Sequence, residues 1–200
     1  MRLGYARAWF ARDPGLDPAV LAALDAAAEG FAALGVTVEE ADLPDYALLE
    51  AAGTVVLNAE AFAVHRPLLR AHWADYGQGT RRRLAAAAVL DGGDLAAARE
   101  LWPRLRAWMD EAMKGCDAVL TATLLAPAPT FSACAEGGPA MPMRTLPFNV
   151  TGHPALALPC GLHEGLPLGM QLAAAHGEEE VLFALGTLWE GAHPPPRPDP

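Results

Sequence analysis

The chain holds one serine, Ser132, and one lysine, Lys114. A serine hydroxyl at its ordinary pKa is a weak nucleophile and needs an adjacent base to take its proton. Ser132 has no base beside it in sequence, and there is no G-x-S-x-G elbow. Cys160 stands three residues before His163, but a turn between two strands need not bring such a pair together. Cys134 and Cys160 read instead as small buried apolar fillers. The three cysteines, Cys116, Cys134 and Cys160, form no C-x-x-C pair, and the six histidines are scattered with no H-E-x-x-H and no ligand cluster. Neither a disulfide framework nor a zinc site is expected, and no cofactor is implied. Glu60 is followed about one helical turn later by His65 and Arg66, a spacing that suits a structural or solvated pair. Arg81, Arg82 and Arg83 are adjacent and so point in different directions around a helix. Pairing with carboxylates is the ordinary expectation for them; contact with an anionic ligand is the alternative.

The elements that would position these residues follow from period and punctuation. Arg2 to Ala6 suits a short strand. Asp17-Pro18 offers an N-cap and a proline at the first helical position. Val20, Leu21, Leu24, Ala28, Phe31 and Leu34 then recur on one helical face, and Gly35 stops the run. Val36 to Glu39 alternates as a strand does. This strand–helix–strand unit favours parallel pairing and an α/β architecture. A helical pattern covers Asp45 to His72, a turn Tyr76 to Thr80, and a further helix Arg81 to about Leu90. Gly92-Gly93-Asp94 caps the next helix, with Leu95, Ala98, Trp102, Leu105, Met109 and Ala112 as its buried stripe. Pro103 predicts a kink or restart there, and Trp102 and Trp108 read as core anchors. Asp117 to Thr121 is a strand. An irregular region follows from Ala126 to Pro142, and long loops of this kind are often functional.

Arg144 to Asn149 reads as a polar turn. Two apolar runs, Pro154–Pro159 and Leu166–Leu172, read as buried strands joined through His163-Glu164-Gly165. Gln171 lies inside the second run and needs hydrogen-bond partners if buried. Glu178, Glu179 and Glu180 fill the first turn of a last helix, where negative charge suits the helix dipole. The tail from His193 to Pro200 cannot form helix or sheet and is expected to be disordered. The fold class is therefore α/β, a mixed β-sheet flanked by helices, with one domain over residues 1–192 and a Pro-rich tail over 193–200.

A net charge of −10 and a pI near 4.9 argue against nucleic acid or an anionic membrane as partner. No apolar run is expected to reach membrane-spanning length. The N-terminus has no signal-peptide pattern, so a cytoplasmic setting is the default.

The pattern P-F-N-x-T-G-H-P-A-L-x-L-P-C-G, Pro147 to Gly161, followed by G-L-P-L-G-x-Q-L, Gly165 to Leu172, resembles the C-terminal signature region of the amidase-signature family. The opening strand–helix–strand resembles the segment that follows that family's catalytic region. The likeness runs from Arg2 to about Glu190 and covers the family's C-terminal portion only. The family hydrolyses amide C–N bonds with a Ser nucleophile, a second Ser that relays the proton and a Lys base, in a Gly/Ser-rich N-terminal half. With one serine and one lysine, this chain cannot build that triad, and no catalytic residue carries over.

The resemblance implies a chain that completes the sheet and walls the substrate pocket. Its partner would be the missing N-terminal half, in the same gene or as a separate chain. A small amide is the implied substrate, and a homo-oligomer is open. Phe131, Cys134, Arg144, Thr145 and Arg83 are the residues placed nearest the substrate. Arg83 occupies the position of a substrate-carboxylate arginine in the family's glutamine-using branch, within a stretch resembling G-x-x-x-[RK]-R-R-[IL]. That branch also has an aspartate where Pro142 stands, which argues against glutamine here. The strand after Gly115 ends in Ala122-Thr123 where the family commonly has Pro-Thr. The alternative is a non-catalytic remnant or binding module derived from the amidase fold.

Overall fold

The computed structural model describes residues 1–134 and 143–194. Residues 135–142 of the expected irregular stretch, and the Pro-rich tail beyond Pro194, lie outside the described residues. Among the described residues, five strands form one mixed sheet. They are β1 (Arg2–Tyr5), β2 (Thr37–Glu40), β3 (Ala118–Ala122), β4 (Ala155–His163) and β5 (Leu166–Ala174), in the order β2-β1-β3-β5-β4. β1 pairs in parallel with β2 and with β3, setting Leu3 opposite Val38 and Ala118. β5 runs antiparallel to both neighbours, with Leu172 opposite Leu120 and Gln171 opposite Ala157.

The first unit forms as its punctuation dictates. Helix α1 (Pro18–Ala33) starts at Asp17, whose carboxylate accepts from the Ala19 N–H at 2.8 Å. Its apolar face, Val20, Leu24, Ala27, Ala28 and Phe31, is buried. At the far end of the chain, α7 (Glu179–Ala192) buries Leu182, Leu185 and Trp189. Both helices lie against β4 and β5. Phe31 and Trp189 meet with ring centroids 4.9 Å apart. The Trp189 indole donates to the Pro159 carbonyl at 2.9 Å, beside an irregularity in β4 between Pro159 and Gly161.

The β4–β5 hairpin closes on Glu164 and Gly165, with φ of 50° and 80°. Two consecutive positive φ values are the type I′ geometry whose twist matches the flanking strands. Gly165 adopts it without a Cβ penalty, whereas Glu164 carries one.

A second helical group comprises α2 (Tyr46–His72), α3 (Gln78–Ala87), α4 (Gly92–Ala112) and α6 (Leu146–Thr151). A four-residue helix, α5 (Phe131–Cys134), precedes α6 in the chain. α2 packs on α3, α4 and α6. A Cβ built on Gly53 of α2 would come within 2.6 Å of Val150 and 2.9 Å of Leu146 on α6, so the glycine permits the close approach.

Several expectations need correction here. The polar turn at Arg144–Asn149 is helical from Leu146, since Pro147 sits in the first turn, where its missing N–H does no harm. α3 begins at Gln78 rather than Arg81. α4 is capped by Asp91 in a reciprocal box with Asp94, and the two glycines form its first turn. Pro103 lies inside α4 without ending it. Trp108 is exposed and sits beneath Arg104, 5.4 Å from its ring, while Trp102 is partly buried. Glu60 pairs with Arg99 at 2.7 Å, and His65 meets the Tyr76 hydroxyl at 2.9 Å. The span Tyr46–Asp75 is long and apolar enough to cross a membrane, with hydropathy 1.4 over its 18-residue window. Leu57, Val64 and Leu68 within it are exposed.

Candidate functional site

Where β3 leaves the sheet, it crosses the segment before α6. The Arg144 N–H donates to the Thr123 carbonyl at 2.8 Å, and Leu124 bridges Met143. Gln171 fixes this crossing from the sheet side. Its amide nitrogen donates to Ala122 O at 2.7 Å and to Arg144 O at 2.8 Å, and the side chain is buried. The partners that a buried glutamine requires are thus supplied.

Alternation along β5 sets Gln171 on the opposite face from Leu172. Leu172 pairs with Leu156, which touches α7 at Gly186. The face bearing Gln171 is therefore the one turned away from α7. Ala155 and Ala157 lie on that face of β4 and are exposed. A shallow cavity of about 590 Å³ opens on this side, floored by Ala157 and Gly169 and walled by Thr123, Met143, Thr145 and Pro167. Its lining is mostly apolar. β4 has a partner only in β5, so its outer edge is unpaired among the described residues.

Arg144 and Thr145 are brought to this cavity but play different parts. Thr145 lines it. The Arg144 side chain turns inward, ion-paired with Asp13 and lying 4.0 Å over the Tyr46 ring. Its guanidinium is buried, and Nε finds no partner among the described residues. Tyr46 in turn donates to the Met143 carbonyl at 2.7 Å. Burial pushes the Tyr46 phenol pKa up. Arg144 thus holds the cavity wall in place through its backbone.

Phe131 and Cys134 lie on α5, and both are exposed; Cys134 is not the buried filler expected. Arg83 is exposed on α3, which packs on α2. None of these three belongs to the cavity lining. Ser132 Oγ is within 3.0 Å of Thr130 Oγ1, and Lys114 pairs with Glu111 at 2.5 Å. The single serine and single lysine are thus each engaged locally, on α5 and beyond the end of α4. Burial raises the Cys160 thiol pKa to about 11, which leaves it a poor nucleophile.

A model of the family described as Amidase matches residues 1–183. The chain belongs to the amidase-signature family. A glutamyl-tRNA(Gln) amidotransferase component from Clostridium botulinum is 28% identical over 90% of this chain and 44% of its own length. An uncharacterized protein in the nthA 5′ region of Rhodococcus erythropolis is 35% identical over 54% of this chain and 59% of its own. A solved amidase crystal structure superposes with a TM-score of 0.82 at 28% identity, over 96% of this chain and 45% of that one. This amidase-family chain therefore spans about half the length of the relatives it matches.

Sequence reasoning missed one grouping. Asp110, His153 and His176 present ligand-capable atoms within 4.8 Å of one another, although no sequence motif joins them. Burial, then the neighbouring His176, holds the His153 pKa below its ordinary value against the pull of Asp110.

Proposed function

We propose that this chain is the C-terminal portion of an amidase-signature hydrolase, forming part of its sheet and one wall of its substrate pocket. The Ser–Ser–Lys machinery would come from an N-terminal half, upstream in the same polypeptide or on a separate chain. The observation that carries this reading is the coincidence of an open apolar cavity with an unpaired strand edge on the same side of the sheet. An unpaired edge next to uncovered apolar surface is a place where more protein packs. The family match over residues 1–183 and the single serine support it. A small amide would lie against Ala157, Gly169 and Thr145, with its reacting carbonyl turned toward the other half. Phe131, Cys134 and Arg83 would approach the amide only through contacts that the other half completes.

The test is trans-complementation. The chain is co-expressed with the N-terminal half of a related amidase, and ammonia release is followed on a panel of simple amides. Hydrolysis is expected from the mixture and from neither part alone. A folded, co-purifying complex with no rate above buffer would overturn the reading.

One observation favours a second reading, a non-catalytic module built on the amidase fold. A single continuous buried cluster joins β1, α1, β3, α4, β5 and α7. A chain with one connected core has the means to fold by itself. A stable monomer that binds little apolar dye supports that module, whereas aggregation or obligate pairing supports the half-enzyme.

A further inference from the structure

The geometry points to a divalent transition-metal site formed by Asp110, His153 and His176, an ion such as Zn²⁺ held by two imidazoles and one carboxylate. The three residues come from separate parts of the fold. Asp110 is in the last turn of α4, His153 follows the left-handed C-cap Gly152 of α6, and His176 lies in the turn between β5 and α7. His153 Nε2 is 3.0 Å from Asp110 Oδ1, and His176 Nε2 is 3.6 Å from the same oxygen. The two rings lie with centroids 4.2 Å apart. Ligand bonds of about 2.1 Å in a tetrahedron separate donor atoms by about 3.4 Å, between the two spacings seen here.

The hydrogen bonds around His153 say which nitrogen is free. The Thr151 hydroxyl donates its only proton to the Pro147 carbonyl at 3.0 Å. Its oxygen must then accept from His153 Nδ1 at 2.9 Å. Nδ1 therefore carries a proton, and in the neutral ring Nε2 bears a lone pair. Asp110 Oδ1 lies 3.0 Å from that nitrogen but off the line a hydrogen bond requires. Two lone pairs at this separation repel unless a cation stands between them.

Both Nε2 atoms, of His153 and of His176, are buried and have no hydrogen-bond partner among the described residues. His153 is only 5% exposed, so water does not supply the missing partner at its own atom. A metal ion satisfies all three atoms at once. The Nδ1–H to Thr151 contact is the outer-shell bond that a metal-ligating histidine ordinarily makes. Two imidazoles and a carboxylate suit Zn²⁺, Co²⁺ or Ni²⁺ rather than Mg²⁺ or Ca²⁺. Asp110 is half exposed, which gives an ion a way in and leaves a position for water. Arg106, one turn earlier on α4, opposes positive charge on His153, so the carboxylate is needed to balance an ion.

The cluster is at the opposite end of β5 from the cavity. From Gly169 the strand runs on to Ala174, roughly 17 Å of extended chain, before the turn that carries His176. The ion would act as a clip joining α4, the start of β4 and the start of α7, away from any hydrolytic centre.

The test uses the untagged full chain titrated with Co²⁺, followed by visible absorption, and with Zn²⁺, followed by calorimetry and thermal melting. One equivalent is expected to bind, with a nitrogen/oxygen-type Co²⁺ spectrum and no thiolate charge-transfer band. At a hundredfold excess of Zn²⁺ over Kd, Tm should rise by about 5 °C or more. His153→Ala removes a buried side chain and is a poor test, since it risks unfolding. Asp110→Asn and His176→Gln alter more exposed side chains and carry the test. Each should weaken binding at least tenfold while circular dichroism stays unchanged, and Thr151→Val should weaken it about 10- to 100-fold. Absence of saturable binding to the folded chain would overturn the proposal. So would affinity unchanged in Asp110→Asn, or a thiolate band placing the ion on cysteine.

Discussion

Replacing Gln171 by methionine tests whether the cavity wall is held by the side chain beneath it. Methionine matches glutamine in length and rough volume, so packing changes little. What is lost is the pair of donors to Ala122 O and Arg144 O, at 2.7 and 2.8 Å. Each bond contributes about 0.5–1.5 kcal/mol net, and a buried acceptor left without a partner costs about 1–3 kcal/mol. Both carbonyls lie at the crossing, one at the end of β3 and one just before α6. A total loss of about 2–4 kcal/mol follows, a large share of the roughly 5–15 kcal/mol typical of a domain. With a urea m-value of about 2 kcal/mol/M, the midpoint should fall by roughly 1–2 M. The assay is equilibrium urea unfolding followed by tryptophan fluorescence and circular dichroism together. Amide exchange at Thr145 and Leu146 should speed up as well, because the crossing segment loses its anchor. A midpoint within about 0.3 M of wild type, with unchanged exchange, would refute the argument and show that solvent reaches those carbonyls.

Three further outcomes are expected. Gly53→Ala should destabilise by about 1–3 kcal/mol, because the new methyl would press on Val150 and Leu146; a gain in Tm from the better helix former would sink this. Glu164→Asn should raise stability by about 0.5–1 kcal/mol, since asparagine tolerates the left-handed conformation at φ 50° that glutamate adopts at a cost; denaturant unfolding measures it. Cys160 should be the slowest thiol toward a disulfide reagent at pH 8. With a pKa raised by burial to about 11, only about one part in a thousand is thiolate there, and the rate should climb as pH approaches 11. Exposed Cys134 should react first, and equal rates for the two in the folded chain would contradict the burial argument.

The parts of this fold that a reader of the sequence can see are those decided within a few residues. Asp17 and Asp45 cap the helices that follow them because the cap is a bond across two residues. The β4–β5 hairpin is legible because Gly165 supplies the turn and apolar runs flank it. α6 is hidden because Pro147 and Asn149 favour turns, and only packing on Gly53 and Trp9 selects a helix. Trp108 misleads by size alone. Leu105 and Met109 are four apart and define the buried side of α4, and a residue one step before Met109 is turned about 100° away from it.

The candidate site divides in the same way. Arg144 and Thr145 are legible because they adjoin a recognisable signature. What Arg144 does there is not, since Asp13 and Tyr46 lie far off in sequence. The Asp110–His153–His176 grouping leaves no local pattern at all, because three separate segments meet only after the sheet is assembled.

The interior place of β1 has a consequence for how the chain is made. Of the five described strands β1 is made first, and it is an interior one, flanked by β2 and by β3. β2 arrives early, but Leu3 must wait for Ala118. At about 5–20 residues per second, the stretch from Glu40 to Ala118 delays completion of that pairing by roughly 4–16 s once β2 is made. Throughout this interval the β1–α1–β2 unit carries a bare hydrogen-bonding edge that another nascent chain can pair with. The β4–β5 hairpin, made last of the described strands, closes within microseconds of its synthesis. Assembly of the sheet is therefore timed by the ribosome and not by strand pairing. Yield of soluble protein should respond to translation speed between β2 and β3.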